Sequence, residues 1–201
     1  MADETEKLTE NIEHHESKQA KWWGNLSPEL KDYHDHEWGV PKHDDRELFE
    51  LLSMETYQAG LNWRTVLQKR NAFNQAFYNY NVAKVAAMMP DDIDRLMQNP
   101  ALIRNYRKLA ATVTNAQAVI KVQQEFGSFD HYLWQFVDFK PIVNQPESPD
   151  AIPTQTELSV KLAADMKKRG FKFVGPVTIY SYLQGAGLID DHLKGWHREQ
   201  V

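Results

Sequence analysis

An acidic residue on the apolar face of a predicted helix is the feature that most constrains this chain. The run 44–54 carries apolar residues at helical spacing. Leu48, Leu51 and Leu52 precede Glu55 by seven, four and three residues, so all four side chains share one face. Because an unpaired buried carboxylate costs several kcal/mol, Glu55 needs either a partner or a ligand.

Two interpretations of Glu55 follow from this segment alone. In the first, an arginine elsewhere in the chain forms an ion pair with Glu55, and Trp63 is an ordinary core residue. In the second, Gly60 ends the helix and Trp63 faces the same cavity as the carboxylate, which then binds a ligand. The segment does not decide between them.

The predicted fold class is all-α, because apolar residues recur at helical rather than strand spacing. The segment 31–41, rich in histidine and aromatic residues, is predicted to be packed but irregular. Four prolines between 140 and 156 predict a crossover loop. Helices are predicted at 44–60, 63–78, 82–89, from 91 or 92 to 97, at 102–126, from 128, and at 157–169 and 176–186.

Composition limits the chemistry and the domain organisation. Residues 1–20 carry six acidic residues and two lysines, so most of the formal charge of −5 lies in a predicted disordered tail. Residues 21–201, nearly neutral, are predicted to form a single domain of two helical lobes. The chain has no cysteine, which excludes disulfides and thiolate chemistry. No apolar run approaches the roughly 20 residues of a membrane span and no signal peptide is recognised, so we expect a cytoplasmic protein.

A second informative segment, 167–178, joins two predicted helices through a short turn bounded by Gly170 and Gly175. Four basic residues lie in this segment. The helix that starts at Pro176 leaves backbone N–H groups free at its positive end, and such a start binds phosphate readily. The pattern is typical of a helix–hairpin–helix that grips a DNA backbone, although many helical turns of this composition bind nothing.

Four blocks of sequence resemble the 3-methyladenine DNA glycosylase I family. The resemblance covers about residues 22–195 and keeps the order and spacing of the blocks. The blocks are Tyr33-His34-Asp35-x-Glu37-Trp38-Gly39-Val40-Pro41, Glu55-x-x-Gln58-Ala59-Gly60-Leu61-x-Trp63, Ile103-Arg104-Asn105-x-Arg107-Lys108 with Asn115-Ala116, and Lys168-Arg169-Gly170-Phe171-Lys172-Phe173-Val174-Gly175 leading to Asp191-His192.

This resemblance implies a helix–hairpin–helix DNA glycosylase fold with a pocket between two lobes. It also implies excision of 3-methyladenine, and of 3-methylguanine as a further substrate, from double-stranded DNA after base flipping. Glu55 would bind the base and carry catalysis, and Tyr33 and Trp63 would sandwich it, with Trp23 and Trp38 lining or supporting the pocket. The residues implied to contact DNA are Gln58, Gly60 and Leu61, with Leu61 filling the gap in the duplex, and Lys168, Gly170, Lys172 and Gly175.

Several roles stay open at this level. Asp190 or Asp191 could activate water, but capping or a bond to His192 is the favoured explanation for both. No residue suggests a lyase lysine, and we expect a monomer that binds alkylated duplex DNA and no membrane. The rival hypothesis is a protein that binds alkylated DNA or free methylated base without turnover.

The family resemblance also implies a zinc site that this chain lacks in part. Many members use two cysteines and two histidines, and the cysteine positions are Lys21 and Trp196 here. His34 and His192 remain, but two imidazoles do not complete four-coordinate zinc. We therefore predict no metal or other cofactor. Packing of Trp196 against residues 22–23, and a hydrogen bond of His34 near Asp191 and His192, would hold the ends together instead.

Overall fold

The computed structural model describes residues 27–197 and is built almost entirely from helices. The predicted tail at 1–20 lies outside these residues. The α-helices are α1 (Pro28–His36), α2 (Asp45–Gln58), α3 (Trp63–Ala76), α4 (Val82–Ala86), α5 (Pro90–Leu96), α6 (Tyr106–Phe126), α7 (Phe129–Trp134), α8 (Glu157–Lys168) and α9 (Pro176–Gly185). Short 3-10 turns lie at Tyr78–Tyr80, Gln135–Val137 and Pro149–Ala151. The all-α prediction is confirmed.

Polar side chains immediately before the first helical residue explain where several helices begin. Asp44, Asn62 and Asn81 each accept a hydrogen bond from a backbone N–H in the first turn of the helix that follows. Glycine ends two helices as predicted, since Gly127 and Gly170 have φ angles of 88° and 97° after α6 and α8.

Three predictions about elements are wrong. The segment predicted to be irregular contains α1, which Ser27 caps and Pro28 begins. The long helix begins at Tyr106 rather than at residue 102, because Asn105 caps it there. The predicted crossover loop contains a two-residue strand, β1 (Ile142–Val143), which pairs in parallel with β2 (Ile189–Asp190).

The helix α6 runs through the centre of the core. Its buried face packs against α4, α5, α7 and α2, and α9 packs against α8 and α2. Leu109, Ala116 and Val119 on α6 have no solvent exposure. The prediction of two lobes within one domain stays a prediction.

A close backbone approach fixes the segment after α1 against the end of α9. A Cβ atom at Gly187 would lie 2.3 Å from the backbone of Val40 and Pro41, and the φ angle of Gly187 is 73°. Only glycine is compatible with this approach. The Gly39 N–H donates to the Gln184 carbonyl at 3.0 Å, and the two segments therefore hold α1 over the end of α9.

Within residues 27–197, no helix is both long enough and apolar enough to cross a membrane.

Candidate functional site

The carboxyl group of Glu55 is buried on α2 without a partner among residues 27–197. Its side chain is 6% exposed, and Leu48, Leu51 and Leu52 on the same helix are buried beside it. No hydrogen bond or ion pair connects Glu55 to another described residue. Burial raises the pKa of the Glu55 carboxyl from 4.5 to about 8, because the charged form loses its hydration. The ion-pair interpretation therefore does not hold within the described chain.

A second buried carboxylate on α2, Glu50, does have partners. It is 4% exposed, and it accepts hydrogen bonds from Arg70 Nε at 2.7 Å and from Arg46 Nη1 at 2.9 Å. Arg70 also binds Glu37 through Nη1 at 2.7 Å. The arginines near α2 thus neutralise Glu50, and Glu55, five residues later, is left without a cationic partner among the described residues.

Tyr33 and Trp63 lie beside Glu55 as the motifs imply. The Tyr33 side chain is 4% exposed. Burial first, and then the charge of Glu55, raise the pKa of the Tyr33 hydroxyl well above its ordinary value. The indole Nε1–H of Trp63 is buried and has no acceptor among the described residues. Two aromatic side chains with polar tips therefore share one region with a buried carboxyl group.

The predicted sandwich is not formed in this structure. The rings of Tyr33 and Trp63 contact each other directly, with centroids 5.3 Å apart and planes inclined at 57°. A base between two parallel rings requires about 7 Å between them, twice the repeat of stacked bases. A base can therefore enter between Tyr33 and Trp63 only if the two rings move apart.

Trp38 is buried next to Tyr33. It is 6% exposed and shares a cluster with Tyr33 and Leu193. Its ring stacks on His34 at 5.5 Å and meets His192 edge-on at 4.7 Å. This position fits the supporting role among those predicted. Trp23 lies outside the described residues.

The predicted intercalating turn projects from the end of α2. Gly60 has a φ angle of 79°, and a Cβ atom there would touch nothing within 4 Å. The Leu61 N–H donates to the Gln58 carbonyl at 2.6 Å, which closes the turn and leaves Leu61 42% exposed. An exposed leucine on a tight turn has the shape required of a side chain that fills a gap in a duplex.

Lys108 holds this turn from the first turn of α6. Its side chain is buried, and Nζ donates to the carbonyls of Tyr57 at 2.9 Å and of Ala59 at 2.5 Å. These carbonyls lie at the negative end of α2, where a cation is favourable. Lys108 belongs to one of the blocks that carry the family resemblance, but the sequence alone indicates no role for it.

The glycine-bounded hairpin is formed as predicted between α8 and α9. Lys168 and Lys172 are exposed, and Gly170 adopts a φ angle of 97°. Gly175 precedes α9 without any side chain that caps the helix, so the first N–H groups of α9 stay open. The hairpin therefore has the groups that bind phosphate.

Asn115 on α6 fixes the backbone of this hairpin. Its side chain is fully buried. Its Oδ1 accepts from the Lys172 N–H at 2.7 Å, and its Nδ2 donates to the Lys172 carbonyl at 3.2 Å. Like Lys108, Asn115 belongs to one of the blocks that carry the family resemblance, but the sequence does not indicate which groups it binds.

Asp191 and Asp190 both have structural partners. Asp191 is 1% exposed and accepts from the Tyr180 hydroxyl, from Gln184 Nε2 at 2.6 Å and from Asn144 Nδ2 at 2.7 Å. Asp190 Oδ1 lies 2.6 Å from His192 Nδ1. These bonds connect β1, α9 and β2. They favour a structural role for both aspartates over activation of water.

His34 and His192 lie together, but their surroundings do not fit zinc. His192 Nδ1 is bonded to Asp190, and His192 Nε2 lies 3.2 Å from the His34 carbonyl, so both ring nitrogens face oxygen atoms. Trp196 stacks on the His192 ring at 3.6 Å. Across residues 27–197, no group of three or more potential ligands is placed to hold a metal ion. The predicted bond of His34 to this region is confirmed, and the predicted contact of Trp196 with 22–23 lies outside the described residues.

Comparisons with known proteins indicate one family. The methyladenine glycosylase family model matches residues 22–199. The chain is 45% identical to a DNA-3-methyladenine glycosylase of Haemophilus influenzae over 172 residues, covering 86% of this chain and 92% of the relative. It is 42% identical to DNA-3-methyladenine glycosylase 1 of Escherichia coli over 173 residues, with the same two coverages.

Solved structures show the same similarity in three dimensions. A crystal structure of a 3-methyladenine DNA glycosylase I variant in complex with 3-methyladenine has a TM-score of 0.85 at 42% identity, covering 88% of this chain and 96% of that one. The 3-methyladenine DNA glycosylase I of Staphylococcus aureus has a TM-score of 0.86 at 42% identity, covering 89% and 95%.

Proposed function

The chain belongs to the methyladenine glycosylase family, and we propose that it excises 3-methyladenine from alkylated DNA by hydrolysing the N-glycosidic bond. The observation that carries this proposal is the unpartnered, buried carboxyl group of Glu55 beside Tyr33 and Trp63. A protein that only grips the DNA backbone has no use for a carboxyl group in an aromatic pocket.

Excision of 3-methyladenine requires little help from a general acid. Methylation at N3 makes adenine cationic, so the base is already a good leaving group. When the N-glycosidic bond breaks, its electron pair goes to the base and neutralises that charge. Water adds to C1′ of the sugar and loses a proton. The protein must chiefly extrude the base and hold it.

Glu55 complements the charge of the base in this proposal. Its carboxyl group is neutral at pH 7 in the free protein, since burial raises its pKa to about 8. A cationic base in the pocket favours the ionised form, which accepts a hydrogen bond from the exocyclic amine. Tyr33 and Trp63 supply stacking, worth about 1–3 kcal/mol per base, against an unstacking cost of a few kcal/mol.

The two turns on either side of α6 divide the contacts with DNA. Leu61 on the first turn fills the gap that the flipped base leaves, with Gln58 and Gly60 beside it. Lys168, Gly170, Lys172 and Gly175 on the hairpin bind phosphates and fix the register of the protein on the duplex.

The finer features of the activity are also proposals. We propose a monofunctional glycosylase without lyase activity, since the ammonium group of Lys108 is occupied by the carbonyls of Tyr57 and Ala59. Excision of 3-methylguanine, a monomeric state, the absence of a metal cofactor and action in the bacterial cytoplasm complete the proposal.

Release of free base from a methylated duplex is the test. Duplex DNA treated with a methylating agent is incubated with the protein, and the released bases are separated and identified by mass. Release of 3-methyladenine above the spontaneous rate, with an intact abasic strand, is expected. Binding of methylated DNA without any release would establish the rival function of a non-catalytic binder and overturn this one.

A further inference from the structure

Arg70 connects the three helices that carry the pocket residues. The helices α1, α2 and α3 carry, in turn, Tyr33, Glu55 and Trp63. Arg70 lies on α3, and its Nη1 donates at 2.9 Å and 2.7 Å to the two carboxylate oxygens of Glu37, the residue that follows α1. Its Nε donates at 2.7 Å to Glu50 on α2. One guanidinium group therefore helps to set how these three helices lie against one another.

The ion pair between Arg70 and Glu37 lies close to Tyr33. Glu37 follows Tyr33 by four residues, and its N–H donates to the Tyr33 carbonyl at 2.9 Å, so the two side chains leave the helix on the same side. Burial, followed by the charges of Glu55 and Glu37, raises the pKa of the Tyr33 hydroxyl, whereas the charge of Arg70 lowers it. The ion pair and the ring are therefore neighbours, and a displacement of Glu37 reaches Tyr33 through one turn of helix.

The gap between Tyr33 and Trp63 depends on where α1 lies relative to α3. The ring centroids are 5.3 Å apart, and a stacked base requires about 7 Å between the rings. Trp63 and Arg70 are seven residues apart on α3, nearly two turns, so they share one face of that helix. A shift of α1 by about 2 Å therefore decides whether a base fits, and an error of about 1 Å in placement can cost about a hundredfold in rate.

The tip of the Tyr33 ring packs against α9. A Cβ atom at Gly185 would lie 3.0 Å from the Tyr33 hydroxyl oxygen and 3.2 Å from Leu51 Cδ2, so the backbone of α9 approaches the ring closely. The Tyr33 side chain is also almost completely buried. The ring therefore has little freedom of its own, and its distance from Trp63 changes mainly when α1 moves.

We propose that Arg70 is a positioning residue for base excision: its ion pair with Glu37 fixes α1 and thereby sets the gap between Tyr33 and Trp63 in which the base stacks. The hydrogen bond to Glu50 fixes the same guanidinium group to α2. Arg70 acts through these helices and does not touch the base. This inference rests on the proposed function, because it requires a flipped base in that gap.

Glu37→Ala tests this anchor and leaves the rest of the network in place. Glu37 is partly exposed, and Glu50 keeps both Arg70 and Arg46 as partners, so we expect the variant to fold. The single-turnover rate of 3-methyladenine release from methylated duplex should fall about tenfold. Affinity for a labelled duplex with a stable abasic analogue, measured by anisotropy, should stay unchanged, because the proposed DNA contacts lie on the Leu61 turn and the hairpin. Glu37→Gln, whose amide oxygen still accepts from Arg70, should recover most of the rate.

A second variant and a matched control accompany this measurement. Arg70→Lys should show the same loss of rate at unchanged duplex affinity, because a lysine lacks the planar fork that binds Glu37 and Glu50 together. Glu29→Ala is the control, since Glu29 forms another ion pair between α1 and α3, with Arg64 Nε at 3.6 Å. Both side chains of that pair are about half exposed, so it holds the helices weakly, and its rate should equal that of the wild type.

The outcomes separate this role from the proposed function. A wild-type rate for Glu37→Ala, alongside a wild-type protein that releases base, would overturn the role of Arg70 alone. Equal losses in Glu29→Ala and Glu37→Ala would also overturn it, since they would indicate a general loosening of α1. A fall in rate that only follows a fall in duplex affinity would do the same. A wild-type protein that binds methylated duplex but releases no base would overturn the proposed function instead.

Discussion

Asn115 binds both backbone groups of Lys172, so a single buried side chain on α6 sets the position of the hairpin. The two hydrogen bonds measure 2.7 Å and 3.2 Å, and the Asn115 side chain is shielded from solvent. The side-chain amide pairs with the Lys172 backbone in the way that the backbone of a neighbouring strand would. No other residue type of this size offers a donor and an acceptor in this arrangement.

Asn115→Ala should lower the free energy of unfolding by about 2–6 kcal/mol, because two backbone groups lose their partners at about 1–3 kcal/mol each. Urea unfolding measures this. Gln117→Ala is the control, since the exposed Gln117 donates to a backbone carbonyl from the same helix. We expect its effect to stay within about 1 kcal/mol. Equal effects of the two substitutions would contradict the role of Asn115.

Glu55→Gln should keep the fold and reduce excision of 3-methyladenine by about tenfold to a hundredfold. A hydrogen bond to a charged group contributes roughly 1.5–3 kcal/mol, and glutamine loses the charge. Single-turnover release of base from methylated duplex measures the effect. Unchanged excision would remove Glu55 from the base-binding site.

The pH dependence of kcat/KM tests whether excision requires the negative charge of Glu55 or only a side chain of its shape. Since the pKa of the Glu55 carboxyl in the free protein is about 8, its ionised fraction is one half near pH 8 and is nearly complete only above about pH 9. We expect kcat/KM, which reports the free enzyme, to rise with pH and to level off above about pH 9, after subtraction of spontaneous base loss. The Glu55→Gln variant should show no such rise. A wild-type profile that is flat from pH 6 to 9 would show that the ionised form is not needed.

Stability should depend on pH in the opposite sense. The folded protein keeps a proton on Glu55 that the unfolded chain releases above pH 4.5, so folding is disfavoured as pH rises from about 4.5 to 8. Each pH unit in this window contributes about 1.4 kcal/mol. Glu55→Gln should therefore match the wild type near pH 4.5 and exceed its stability by about 3–5 kcal/mol at pH 8. A difference that does not grow with pH would reveal a hidden partner of Glu55.

Lys108→Met should loosen the turn that carries Leu61 while it preserves the packing of the lysine stem. Loss of two charged hydrogen bonds, at roughly 1.5–3 kcal/mol each, is expected to cost about 3–6 kcal/mol in stability and to lower the rate of base release. Lys69→Met is the matched control, since Lys69 Nζ donates at 2.9 Å to the carbonyl of Ala101, away from the turn. A drop in excision in both variants alike would argue against a specific role of Lys108.

Metal analysis addresses the predicted absence of zinc. Protein purified without a histidine tag should contain no stoichiometric zinc, and a chelator should leave its melting temperature unchanged. Trp196→Ala should lower that temperature, because Trp196 stacks on His192 and burial of an aromatic ring contributes a few kcal/mol. Stoichiometric zinc, or a large fall in melting temperature with chelator, would overturn this prediction.

Much of the fold could be predicted because its helices carry local signals. Capping residues and glycines mark most boundaries, and the position of Glu55 follows from spacing alone. The sequence does not predict α1, because its histidines and aromatic residues suggest an irregular segment. In the structure, Leu30, Tyr33 and His34 are buried at helical spacing. The strands β1 and β2 have two residues each, too few for any period to show.

The sequence predicts only those parts of the candidate site whose residues lie in one continuous segment. Arg70 forms an ion pair with Glu50, twenty residues earlier in the sequence, and not with Glu55. No local pattern distinguishes these two acidic residues. The partners of Lys108 and Asn115 are likewise backbone groups far away in sequence. Backbone carbonyls carry no signature of their own in a sequence, so tertiary contacts of this kind require the structure.

The missing counter-charge at Glu55 has a consequence for undamaged DNA. Ordinary adenine is uncharged, so its entry into the pocket cannot repay the cost of ionising a carboxyl group with a pKa of about 8. The methylated base brings that compensation with it. An arginine beside Glu55 would supply the charge in advance and erase the difference between the two bases. In the proposed function, the unpaired acid would therefore make discrimination against a vast excess of normal adenine a property of the site itself, set before any base enters.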